Sequence, residues 1–174
     1  MPLQLDFAML ACFAAAATDV RTRKIPNVIP AAVALVALGF AVPHGTLAVF
    51  IVLALIVATM IVGTLAFAQG WLGGGDVKLL AAVNGCLGFA DAVPFLLYTA
   101  ICGGLLGLCF AAGRRSVPSL LRSVGGILRP FVQGGAAAIA PERPIKMPYA
   151  LAIACGAIAV ALSHSIAPFL RLPL

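Results

Sequence analysis

Charged side chains make up only 9% of this 174-residue chain, and just five of them are carboxylates. A soluble domain needs far more charge to solvate its surface, so a water-soluble enzyme or binding module is excluded as the main reading. Cys-x-x-Cys, Gly-x-Ser-x-Gly and His-Glu-x-x-His are all missing, which disfavours a thiolate metal site, a serine hydrolase and a zinc protease. Cys12, Cys86, Cys102, Cys109 and Cys155 are scattered through apolar runs and read as small core thiols rather than a disulfide framework. No metal and no cofactor is expected. What the chain does have is apolar surface: it is 63% hydrophobic, with a mean hydropathy of +1.16. An all-α, polytopic membrane protein with a single membrane domain over residues 1–174 is the reading that follows. The net charge of +6 belongs to cations flanking apolar runs, where it orients helices against an anionic inner leaflet and does not point to nucleic acid.

A span needs about 20 apolar residues. The first candidate covers 3–18; it begins with Asp6 and carries its cations afterwards, unlike a signal peptide, and so reads as a retained span with its N-terminus outside. The second covers 28–42, with Pro30 tolerated in the first turn, and the third covers 47–68 without any charge. The stretch from Leu79 to Ala112 is too long for one straight helix and is interrupted by Gly85, Gly88, Asp91 and Pro94. Two spans, 77–88 and 92–112, put Arg21, Arg23, Lys24, Lys78, Arg114, Arg115, Arg122, Arg129, Arg143 and Lys146 on one side and leave only Arg171 on the other. A single helix would move six of these cations outside, against the positive-inside rule. With a last span at 148–170, six helices and two external termini result. The cytoplasmic loop 113–147 includes a helical apolar stripe over 117–132, expected to lie on the membrane surface or to cover the active site. His164 has no neighbour at ligand spacing and reads as structural.

This topology brings Asp19, at the inner end of the first span, and Asp76, at the inner start of the fourth, to one face. Either acid alone has an ordinary role at a helix end, Asp19 as a cap and Asp76 through the helix dipole. Together at a membrane boundary they form a candidate paired-carboxylate site, in which one acid activates water while the other protonates a carbonyl oxygen. Gly73, Gly74 and Gly75 allow another chain to approach the backbone closely and could pair with an extended peptide. Lys78, two residues from Asp76, does not share its helix face and is cast as a contact for lipid phosphate or for the substrate.

The strings Asp19-Val20-Arg21-Thr22-Arg23-Lys24-Ile25-Pro26-Asn27 and Gly70-Trp71-Leu72-Gly73-Gly74-Gly75-Asp76-Val77-Lys78-Leu79-Leu80-Ala81-Ala82 resemble those of the type IV prepilin peptidases, membrane aspartic proteases with a Gly-x-Gly-Asp motif. Lys146-Met147-Pro148-Tyr149-Ala150 is similar to a third family element, and the three blocks fall in the family's order. The resemblance implies that Asp19 and Asp76 are the catalytic pair, working at the cytoplasmic face of the inner membrane. It also implies that Arg21, Lys24, Pro26, Asn27, Gly73, Gly74, Gly75, Lys78, Pro148 and Tyr149 bind substrate or shape the site. The implied substrate is a prepilin whose basic leader ends in glycine before an apolar helix. Long family members add a zinc-binding Cys-x-x-Cys region and N-methylate the product. This chain is similar to the short form, as in tight-adherence pilus systems, so leader removal without methylation is expected. A presenilin-like protease is the nearest rival, but its first aspartate lies inside a span. A transporter or assembly scaffold would be expected to carry an unpaired charge near mid-span, which this sequence lacks.

Overall fold

The computed structural model of the chain describes residues 3–22, 25–70, 72–113 and 149–170. The expected surface helix 117–132, Lys24 and Pro148 lie outside the described residues. The described part is all helical: α1 (Leu3–Thr22), α2 (Val28–Ala41), α3 (Thr46–Ala68), α4 (Gly74–Leu87), α5 (Phe89–Gly113) and α6 (Tyr149–Leu170), with a single 3₁₀ turn at Val42–His44 between α2 and α3.

A short helix, α4, sits at the centre. In α4, Val77 and every residue from Leu79 to Cys86 are buried. A helix that is apolar on all sides is stable only when neighbours enclose it, and α4 packs against α1, α2, α3, α5 and α6. Small residues bring these neighbours close. A Cβ at Gly63 of α3 would lie 2.6 Å from Val77, and one at Gly85 would lie 2.6 Å from Ile56. Between α5 and α6, a Cβ at Gly156 would collide with the Thr99 hydroxyl. One polar contact joins α3 and α4 inside the bundle, with Asn84 Nδ2 donating to Thr59 Oγ1 at 2.7 Å.

The break between α4 and α5 falls at Gly88, whose φ of +83° is open to glycine and strained for other residues. Asp91, expected at the turn, instead lies in the first turn of α5. The first helix continues past its apolar run through Asp19 to Thr22, so Asp19 is held by helical backbone on both sides.

The outer surface is as apolar as the core. Along α3, Leu47, Phe50, Val57, Ile61, Val62 and Leu65 are each more than half exposed. Two helices, Thr46–Ala68 and the 21-residue stretch Phe89–Cys109, are long and apolar enough to cross a membrane.

Candidate active site

The C-terminal turns of α1 and the N-terminal turn of α4 meet at one end of the bundle and enclose a cleft of about 320 Å³, lined by Asp19, Ile25, Asn27, the Gly73–Gly75 backbone and Asp76. The two acids, distant in sequence, share this wall because α1 and α4 both end here. Their opposite ends also meet, where the Cys86 thiol donates to the Gln4 carbonyl at 3.3 Å.

Each carboxylate is held by a backbone amide, that of Asp76 from its own loop and that of Asp19 from a distant helix, and each has one oxygen left over. Asp76 Oδ2 accepts from the Gly73 amide at 3.2 Å, the backward-reaching half of a capping box. Asp19 accepts from the Ala150 amide, in the first turn of α6, where helix amides lack partners of their own. The ordinary role at a helix end is therefore real for both acids, yet it accounts for only half of each. Asp19 Oδ2 and Asp76 Oδ1 are buried and have no hydrogen-bond partner among the described residues. A buried acceptor left unsatisfied is costly, and two in one cleft mark a place built to receive something polar.

The electrostatics follow from this enclosure. Burial raises Asp76 from its ordinary 3.8 to about 6; the nearby Asp19 charge adds to the rise and the Gly73 amide opposes it. Asp19 is only 8% exposed, and burial raises its pKa too, against the pull of the Ala150 amide. Both shifts run toward the protonated form, with burial the main cause in each.

The remaining expected site residues divide clearly. Asn27 and Gly73, Gly74 and Gly75 line the cleft. The Lys78 ammonium donates to Asn27 Oδ1 at 3.0 Å and so ties the α1–α2 connection to α4. Pro26 accepts from the Ile29 amide at 3.1 Å, turning the chain into α2. Arg21 is exposed in the last turn of α1 and is not among the cleft residues. Tyr149 opens α6, with its ring against Gly103 of α5, where an added Cβ would lie 2.9 Å from the ring edge. Sequence reasoning missed two contributors. Ile25, the aliphatic side chain among the described residues of the cleft wall, sits in the quoted motif and could have been flagged there. The Ala150 amide leaves no sequence signal, since any residue would supply it. Among the described residues, no group of three or more His, Cys, Asp or Glu side chains is placed to hold a metal ion.

A helical bundle closing on a water-accessible pair of buried carboxylates defines a class of dicarboxylate sites. The family model for the type IV leader peptidases matches residues 7–108, more than half of the chain and both acids. The chain belongs to the type IV leader peptidase family and is a protease by that membership. No curated protein and no solved structure matches it.

Proposed function

We propose that the chain is a membrane aspartic endopeptidase that removes the basic leader of a prepilin-like precursor, cutting after a glycine at the cytoplasmic face of the inner membrane. The single observation that carries this reading is the presence of two unpartnered carboxylate oxygens, one from Asp19 and one from Asp76, on the wall of one cleft. Leader peptidase membership supports a prepilin-like substrate. The aliphatic surface of α3 and the length of Thr46–Ala68 and Phe89–Cys109 support a membrane-spanning chain, and the sequence's hydropathy and cation distribution support six spans, a cytoplasmic cleft and both termini outside.

In this mechanism the pair begins with one shared proton. The ionised carboxylate takes a proton from a water molecule as that water adds to the scissile carbonyl carbon. The protonated partner gives its proton to the carbonyl oxygen. The resulting diol collapses, the C–N bond breaks, and the departing amine leaves with a proton from the pair. No side-chain nucleophile takes part, and the product is not methylated. An anionic leaflet helps a basic leader approach a basic rim.

Co-expression with a prepilin precursor tests this reading, with leader removal followed by electrophoresis and the mature N-terminus by mass spectrometry. The expected product is a pilin shortened at a glycine and unmethylated. An uncut precursor beside the inserted, folded protein would refute the reading, and an N-methyl group added by this protein alone would refute the absence of methylation.

A further inference from the structure

We infer that Asn27 holds the substrate backbone, its side-chain amide donating to a main-chain carbonyl beside the scissile bond, and that Lys78 aims that amide; this assignment rests on the peptidase reading. Hydrogen-bond donors are scarce on the cleft wall. An ionised carboxylate can only accept, and its protonated partner has a single proton, which the proposed chemistry delivers to the reacting carbonyl. The Gly73 amide is engaged by Asp76 Oδ2 at 3.2 Å. Among the described residues of the wall, Asn27 supplies the one side-chain amide. Its two N–H donors carry no charge, which suits a peptide carbonyl.

Two observations fix which way this amide faces. Asn27 stands at the N-cap of α2, where an asparagine commonly turns its oxygen back onto the first-turn amides. Its backbone carbonyl accepts from the Ala31 amide at 3.2 Å, yet its side chain makes no capping bond. The oxygen accepts instead from the Lys78 ammonium at 3.0 Å. An ammonium has donors and no acceptor, so the carbonyl side of the amide must face Lys78, and its nitrogen is the end left for the cleft. Among the described residues, this is the one hydrogen bond that the side chain makes. Lys78 follows Asp76 by two residues in α4, so a single turn of helix sets both the reacting acid and the amide that would hold the peptide.

The test uses the full-length protein in membranes with a prepilin precursor, and reads kcat and KM for each variant at its own optimal pH. Asn27→Asp keeps an oxygen for Lys78 and removes both N–H donors, whereas Asn27→Leu removes both features. Lys78→Met leaves the amide and releases its tether. Asn27→Asp and Asn27→Leu are each expected to raise KM on the order of tenfold with little change in kcat, as for a bond made equally to ground and transition states. Lys78→Met is expected to raise KM less. A mere brace between the α1–α2 connection and α4 gives the opposite pattern: Asn27→Asp behaves as the unaltered protein, and Lys78→Met loses as much as Asn27→Leu. That pattern would overturn the assignment, and so would a loss confined to kcat, which would put Asn27 on the reacting oxygen. Should Asn27→Leu fail to accumulate, Asn27→Asp against Lys78→Met decides the matter. Failure of the unaltered protein to cut the precursor would overturn the peptidase reading and the assignment with it.

Discussion

At one end of the bundle, Asp91 of α5 lies 2.9 Å from His164 of α6; the histidine is open to solvent and the acid partly so. At the other end, Asp19 and Asp76 are withdrawn from solvent, face a shared cleft and, among the described residues, are held by backbone amides and not by a cation. The chain has few acids to spend on either end. A partly exposed acid beside a histidine gains a partner and holds two helices in register. Two acids withdrawn from water, with no cation against them among the described residues, both favour the protonated form, Asp76 in part through the Asp19 charge, and groups perturbed in this way cluster at functional sites. The contrast teaches that partner and burial, not the presence of an aspartate, set apart the two acids proposed to react from the one that joins two helices.

The largest effect should come from making each acid neutral in turn. Asp19→Asn and Asp76→Asn should each lower leader removal by roughly 10²–10⁴-fold, whereas Asp91→Asn should leave it intact, all read from precursor processing at matched protein levels. Equal losses at the two ends would break the comparison.

A second effect separates neighbouring glycines of α5. A Cβ at Gly103 would lie 2.9 Å from the Tyr149 ring, whereas Gly104 has nothing within 4 Å. Gly103→Ala should cost about 1–3 kcal/mol and also disturb the first turn of α6, which presents the Ala150 amide to Asp19. Gly104→Ala should be neutral or gain up to about 1 kcal/mol. Thermal unfolding in detergent distinguishes them.

A third effect is the pH dependence of stability. The folded protein keeps the Asp76 proton up to about pH 6, while the unfolded chain loses it near 3.8. The folded state therefore binds more protons within that window, and stability should fall as pH rises from about 4 to about 6 and then level off. Asp76→Asn should flatten this slope in unfolding midpoints measured across that range. The smallest effect belongs to the exposed pair: His164→Ala should cost no more than about 1 kcal/mol.

Much of this arrangement was legible in the sequence because it rests on local signals. Gly88 marked the break before α5, and charge asymmetry brought Asp19 and Asp76 to the same end. What stayed hidden depends on contacts between distant residues. Nothing in the local pattern pairs Lys78 with Asn27, 51 positions away, or His164 with Asp91, 73 positions away. Hydropathy ended the first helix before Asp19, whereas α1 runs on to Thr22; arginine is a good helix former despite its polarity. The engagement of Asp19 by a backbone amide of α6 is invisible to any side-chain motif.

The coupling of the two carboxylates is measured most directly by the pH dependence of carbodiimide modification at Asp76, quantified by mass spectrometry in the unaltered protein and in Asp19→Asn. Half-modification is expected near pH 6 with Asp19 present and at a lower pH once its charge is removed. The same midpoint in both proteins, or one near 3.8 in the unaltered protein, would contradict a shared dicarboxylate site.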